Sequence, residues 1–203
     1  GIKEQQVLTE PVMRNTAPCV AYGCYKIESI NPDAVIVVAP SDHLISDEDA
    51  FVSTIEKSLK TAAENDCLIT LGIKPSRPDT GYGYIQFTNQ AINNNEFYKV
   101  KTFTEKPSLE IAKTFIQSGD FLWNAGIFVW SAKAIVNAFE EYLPDMNEIF
   151  SDARLVYNTA GEKAHVHTAY QQCINISIDY GIMEKASNVY VLPSEFGWSD
   201  LGT

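Results

Sequence analysis

The chain has 203 residues, 45% of them hydrophobic and 20% charged, which suits one globular α/β domain with a full buried core. No apolar stretch approaches the span of a bilayer and Gly1–Gln5 does not read as a signal peptide, so a cytoplasmic protein with no membrane partner is expected. A net charge of -11 excludes general nucleic-acid binding, which needs basic surface to displace phosphate counterions.

The elements alternate between helix and strand. Val7-Leu8 reads as a first short strand. Thr16-Ala17-Pro18 predicts an N-cap with proline in the first turn, and Val20, Ala21, Cys24 and Ile27 supply one apolar face. The continuous apolar run Ala34–Ala39 predicts a buried parallel strand. Ser46-Asp47-Glu48-Asp49 opens a second helix, with Phe51, Val52, Ile55, Leu59 and Ala62 at helical spacing, and Cys67–Ile73 follows as another buried strand. That strand–helix–strand unit predicts a right-handed crossover in a parallel sheet. Tyr82–Thr88, Tyr98–Phe103 and Ile127–Trp130 are strand-like, with a turn at Asn93-Asn94-Asn95 and a helix capped by Ser108. Residues 131–185 read as helical, interrupted at Pro144 and Gly161, with Ser177 as a late N-cap; Val189–Pro193 returns to strand. No linker or composition break appears, so one domain over 1–203 is expected. Cys19, Cys24, Cys67 and Cys173 lack CxxC spacing and are read as reduced, mostly buried thiols; Cys19 and Cys24, five apart on a helix, face different ways.

Several segments could carry chemistry. Asp42 and Asp200 each follow an apolar run, where a carboxylate is held at a sheet's edge. Two such groups converging would make an oxygen-ligand site of the kind Mg²⁺ prefers, and Mg²⁺ arrives with substrate phosphates. The alternative for Asp42 is a turn aspartate that caps the next segment. His43 reads as a packing or hydrogen-bonding residue rather than a base. Gly83, in Thr80–Ile85, marks either a bulge or a close approach of ligand or backbone. Glu105 and Lys106 end a strand on opposite faces, so one can reach a sugar hydroxyl and the other a phosphate, or both can sit in solvent. Asn124 is an amide in an apolar strand with Gly126 on the same face, and its donors and acceptor suit vicinal hydroxyls. Glu10 could accept from the amide and exocyclic amine of guanine. Arg14 could serve a phosphate, and the helix N-terminus after it favours anions. His165-Val166-His167 has no third ligand nearby.

Seven segments in one order, EPVMRNTAP (Glu10–Pro18), VAPSDHLI (Val38–Ile45), TGYGYI (Thr80–Ile85), FTEKP (Phe103–Pro107), WNAGIFVW (Trp123–Trp130), SIDYGIMEKA (Ser177–Ala186) and GWSDLGT (Gly197–Thr203), resemble the sugar-nucleotidyltransferase family. Within it they resemble the members that join GTP and α-D-mannose 1-phosphate into GDP-mannose and pyrophosphate. The resemblance implies a Rossmann-like mixed sheet flanked by helices, the nucleotide-diphospho-sugar transferase fold. It implies Asp42 and Asp200 as Mg²⁺ ligands, Gly83, Glu105 and Asn124 as mannose-binding residues and Lys106 as a sugar-phosphate contact. Glu10, Arg14, Asn15 and Thr16 fall in the guanine-binding segment. The family's glycine-rich loop precedes the part of the pattern found here, so the chain is expected to be the central portion of a catalytic domain and inactive by itself, with exposed strand edges that favour homo-oligomers. A different base or sugar, or a non-catalytic GDP-mannose-binding regulatory homologue, are the alternatives, and a further phosphomannose isomerase activity is left open.

Overall fold

The computed structural model describes residues 2–3 and 6–202. In chain order the elements are α1 (Thr16–Ile30), β1 (Val35–Val38), β2 (His43–Ile45), α2 (Glu48–Glu64), β3 (Leu68–Ile73), β4 (Tyr84–Ile92), β5 (Phe97–Thr104), α3 (Leu109–Ser118), β6 (Phe121–Ser131), α4 (Ala132–Tyr142), α5 (Pro144–Ser151), α6 (Glu162–Gln172), β7 (Val189–Ser194) and β8 (Trp198–Asp200). They fall into two compact units, Gly1–Ala34 with Ala132–Ala186 and Val35–Ser131 with Ser187–Thr203. The chain passes between the units inside runs of ordinary composition, which is why the sequence alone displays no boundary.

The second unit holds a six-stranded sheet in the order β1-β6-β3-β7-β5-β4, with β6 also pairing β4. Among the described residues, only β3 and β7 run parallel as hydrogen-bonded neighbours; the other pairings are antiparallel. The expectation of a buried parallel strand at Ala34–Ala39 is therefore corrected. β1 is an edge strand with only Ile36 buried, and β6 lies antiparallel between it and β3. Strands β1 and β3 still point the same way, but a strand from much later in the chain takes the place beside each. β3 is buried along nearly its whole length, as its apolar run predicts. Asp47 caps α2 by accepting from the Ala50 N–H at 3.0 Å, and Phe51, Ile55 and Leu59 pack on the core formed by Ile69, Leu71, Ile127 and Val129. Val52, expected on that face, is 52% exposed. Asn93, Asn94 and Asn95 all adopt positive φ in the β4–β5 turn, where asparagine is the non-glycine residue that best tolerates it. β2 and β8 form a separate antiparallel ribbon; neither is recognisable as a strand from its three residues.

The first unit is helical. α1 buries Ala17, Val20, Ala21, Cys24 and Tyr25, while Ile27 stays 39% exposed. Its cap is Asn15 rather than Thr16: the Asn15 side chain accepts from the Thr16 N–H at 2.9 Å, and Thr16 Oγ1 accepts from the Ile178 N–H at 2.9 Å. Residues 7–15 contain no strand, so Val7-Leu8 is corrected to irregular chain. Pro144 opens α5, Gly161 precedes α6, and Ser177 Oγ accepts from the Tyr180 N–H at the start of a π-helical turn. All four cysteines are free thiols, with Cys19 exposed and the others buried. Burial pushes the Cys67 thiol up to about 12 and Cys173 up to about 11, which keeps both protonated and unreactive. No helix among the described residues is long and apolar enough to cross a membrane.

Candidate active site

The β2–β8 ribbon brings the two aspartates together. Its register sets His43 opposite Asp200, Leu44 opposite Ser199 and Ile45 opposite Trp198, and the Leu201 N–H donates to the Asp42 carbonyl at 3.1 Å. Asp42 thus precedes one strand and Asp200 ends its antiparallel partner, at the same end of the ribbon. Gly202 marks the convergence: a Cβ there would lie 3.1 Å from Asp200 Oδ1 and 3.4 Å from Asp42 Oδ2. The two oxygens are no further apart than the sum of those distances. Gly202 N–H also donates to Asp200 Oδ1 at 2.7 Å, which orients that carboxylate. Asp42 is exposed and Asp200 half-buried. No group of three or more His, Cys, Asp or Glu among the described residues is placed to hold a metal. Two carboxylates alone suit a hard cation that completes its shell with water and phosphate oxygens, as Mg²⁺ does, and not a zinc-type site.

A second cluster forms on the main sheet. Strands β3 and β6 lose register between Thr70 and Gly72, where one residue of β3 faces three of β6. Gly126 sits in this bulge at φ +66, a conformation that favours glycine. Asn124 Oδ1 braces it, accepting from the Thr70 hydroxyl at 3.0 Å and the Gly126 N–H at 3.1 Å. With the oxygen committed to the bulge, recognition of a hydroxyl through this residue would use its amide hydrogens. The Asn124 N–H donates to the Gly83 carbonyl at 2.8 Å, and the Glu105 carboxylate lies directly over the Gly83 Cα, where any side chain would collide with it. Gly83, Glu105 and Asn124 therefore come together although they lie far apart in sequence. Lys106 follows as an exposed residue at φ 44, a backbone strain of the kind found at functional positions.

Aromatic residues whose sequence context points only to the core join these two clusters. The Tyr82 ring meets Trp123 at 5.1 Å and Trp198 at 5.2 Å, both edge-on. Trp198 in turn meets His43 edge-on at 5.2 Å and donates its indole N–H to His43 Nδ1 at 3.1 Å. His43 is thus a hydrogen-bonding residue, as its sequence context suggests. A cleft of about 840 Å³ runs along Ile73, Trp123, Phe196 and Trp198, on the aromatic side of these clusters and not over Asp42, Glu105 or Asn124.

Glu10, Arg14, Asn15 and Thr16 belong to the other unit. Glu10 is exposed beside Cys19 and Tyr170; burial and then the Glu10 carboxylate raise the pKa of both. Arg14 Nε donates to the Tyr170 carbonyl at 3.1 Å, and Thr16 receives the Ile178 N–H, so both have structural work in this fold. Asn15 caps α1 at φ 66, ψ -168, a region almost reserved for glycine. His165 and His167 lie on α6; His167 Nδ1 is 3.4 Å from Gln171 Nε2, and no metal cluster among the described residues includes either.

Residues 2–203 match the family model described as nucleotidyl transferase. The chain is 36% identical over its whole length to "Mannose-1-phosphate guanylyltransferase" of Sinorhizobium fredii, spanning 40% of that protein. It is 37% identical over 97% of its length to the protein of the same name from Salmonella montevideo, spanning 42% of it. Among solved structures, a "mannose-1-phosphate geranyltransferase" from Thermus thermophilus superposes with a TM-score of 0.82 at 33% identity, covering 96% of this chain and 54% of that one. "Mannose-6-phosphate isomerase from Helicobacter pylori" superposes with a TM-score of 0.76 at 27% identity, covering 94% of this chain and 72% of that one. The chain spans about two-fifths of the curated relatives it matches. Its mixed sheet with flanking helices is the Rossmann-like architecture expected of such proteins, and the chain belongs to the nucleotidyl transferase family.

Proposed function

We propose that the protein carrying this chain transfers the guanylyl group of GTP to mannose 1-phosphate, releasing pyrophosphate, with Mg²⁺ held by Asp42 and Asp200. The observation that carries this reading is the convergence of those two carboxylates on Gly202, linked through Trp198 and Tyr82 to the Gly83–Glu105–Asn124 cluster. The names of the relatives support the sugar and the base. Bound there, Mg²⁺ would supply positive charge to the triphosphate, which an acidic chain needs.

The remaining chemistry falls to side chains. Glu105 accepts from a sugar hydroxyl, and the Asn124 amide donates to its neighbour. The Lys106 ammonium meets the sugar phosphate. So held, a phosphate oxygen of mannose 1-phosphate attacks the α-phosphorus in line; the new P–O bond forms as the bond to pyrophosphate breaks. The attacking oxygen is already ionised, so no general base is required, and positioning with charge neutralisation provides the catalysis. Glu10 accepts from the guanine amide and amine. Pyrophosphate release measured against a panel of nucleotides and sugar phosphates tests the reading. GTP with mannose 1-phosphate is the expected pair; a clear preference for UTP or dTTP with glucose 1-phosphate would overturn it.

A further inference from the structure

His43 lies next to the candidate cation site in the β2–β8 ribbon. The indole of Trp198 can only donate, so the 3.1 Å contact makes His43 Nδ1 the acceptor and places the proton of the neutral ring on Nε2. His43 follows Asp42 directly and pairs with Asp200 across the ribbon, while its donor Trp198 lies two residues before Asp200. One hydrogen bond thus ties the strand that begins after the first carboxylate to the strand that ends in the second. The ring lies beside Gly126, in the bulge that Asn124 braces: a Cβ on that glycine would be 3.9 Å from His43 Cε1. Trp198 is fixed in turn against Tyr82. The ribbon pairs three residues on each strand, and further backbone bonds, from Leu201 to Asp42 and from Ser46 and Asp47 to Gly197 and Phe196, extend it at both ends; the His43–Trp198 bond adds a side-chain tie across it.

We propose that His43 is a positioning residue. Its Nδ1, held by the Trp198 indole, locks the β2–β8 ribbon so that Asp42 and Asp200 keep their approach and can share one divalent cation. The inference rests on the reading of that pair as a cation site. In zinc and other metal sites, partners that orient the ligands carry about ten- to a hundredfold of metal affinity, and a comparable share is expected here.

The test uses the full polypeptide that carries these residues, with Mn²⁺ alone as the probe and free Mn²⁺ followed by electron paramagnetic resonance. His43→Leu removes the acceptor and is expected to weaken Mn²⁺ binding about tenfold. His43→Asn puts an amide oxygen where Nδ1 stood and is expected to retain wild-type affinity. Trp198→Phe keeps the aromatic bulk without the donor and should match His43→Leu. In ¹H–¹⁵N spectra the Trp198 indole resonance should move upfield in His43→Leu and stay in place in His43→Asn. Wild-type affinity in His43→Leu, or equal losses in His43→Leu and His43→Asn, would overturn the proposal. Asp42→Asn separates the two readings: its loss of Mn²⁺ binding beside an unaffected His43→Leu overturns the positioning role alone, whereas its undiminished binding overturns the cation site and this inference with it.

Discussion

The two units place carboxylates in opposite circumstances. In the helical unit, Glu162 is nearly buried and fully engaged: Lys26 Nζ reaches Oε2 at 2.6 Å, the Asn158 N–H donates to the same oxygen at 2.7 Å and the Tyr22 hydroxyl donates to Oε1. Burial opposes its charge, yet the hydrogen bonds from Lys26, Tyr22 and Asn158 outweigh that and hold its carboxyl below the usual range. In the sheet unit, Asp42 and Asp200 instead lie at the same end of the β2–β8 ribbon, each with a carboxylate oxygen close to Gly202. An acid whose charge is answered by a lysine of its own fold serves stability; under the proposed function, the Asp42–Asp200 pair instead serves a bound cation.

The largest expected effect tests that contrast directly. Asp42→Asn and Asp200→Asn should each lower turnover about a hundredfold or more, with folding retained by circular dichroism and Tm unchanged or slightly raised. Near-normal pyrophosphate release in either variant would return that aspartate to a turn or cap.

A smaller effect on binding is expected at Gly83. A methyl group there would collide with the Glu105 carboxylate and turn it away, so Gly83→Ala should raise KM for the sugar phosphate about tenfold or more, the size of one hydrogen bond to a charged group. KM for GTP should stay put, and parallel rises in both would mean a general distortion.

Glu162→Gln should leave kcat alone and lower stability by about 2 kcal/mol, measured by urea unfolding at pH 7. The depressed folded pKa of Glu162 contributes stability that is present above the unfolded value near 4.5 and lost as pH falls through the folded value. The variant should therefore lose least relative to wild type below that window, and a deficit independent of pH would show that packing, not charge, is what Glu162 supplies. Smallest of all, Asn15→Gly should shift stability by only a few tenths of a kcal/mol, because glycine trades the side-chain cap for relief at φ 66. Asn15→Ala, which loses the cap and keeps the strain, should cost about 1–2 kcal/mol by the same assay.

Local signals carry much of this fold. Ser108 is readable as a cap because a side-chain oxygen before an apolar-periodic run has one good use, and it accepts from a helix N–H as expected; within Ser46–Asp49, read as a helix start, the structure makes Asp47 the cap. Proline at 144 and glycine at 161 mark real helix starts. Asn15 escapes recognition as the cap because its backbone conformation is rare for a non-glycine residue. Asp42, Asp200, Gly83, Glu105 and Asn124 all stand out by their places at the ends or odd positions of apolar runs, a signal that needs no knowledge of their neighbours in space.

What the sequence by itself determined was most of the longer elements and the suspects, though not the short β2 and β8: periodicity, caps and breakers act within a few residues, and so do the signals that betray an out-of-place polar group. Only tertiary structure decided which strand lies beside which, that β6 enters antiparallel between β1 and β3, and that three residues of β2 meet three of β8. Those pairings join segments far apart in the chain, and an apolar run is equally content beside any other. Hence Asp42 and Asp200 could be named from sequence, but their convergence on Gly202, and the His43–Trp198 bond that spans the ribbon, exist only once the chain has closed on itself.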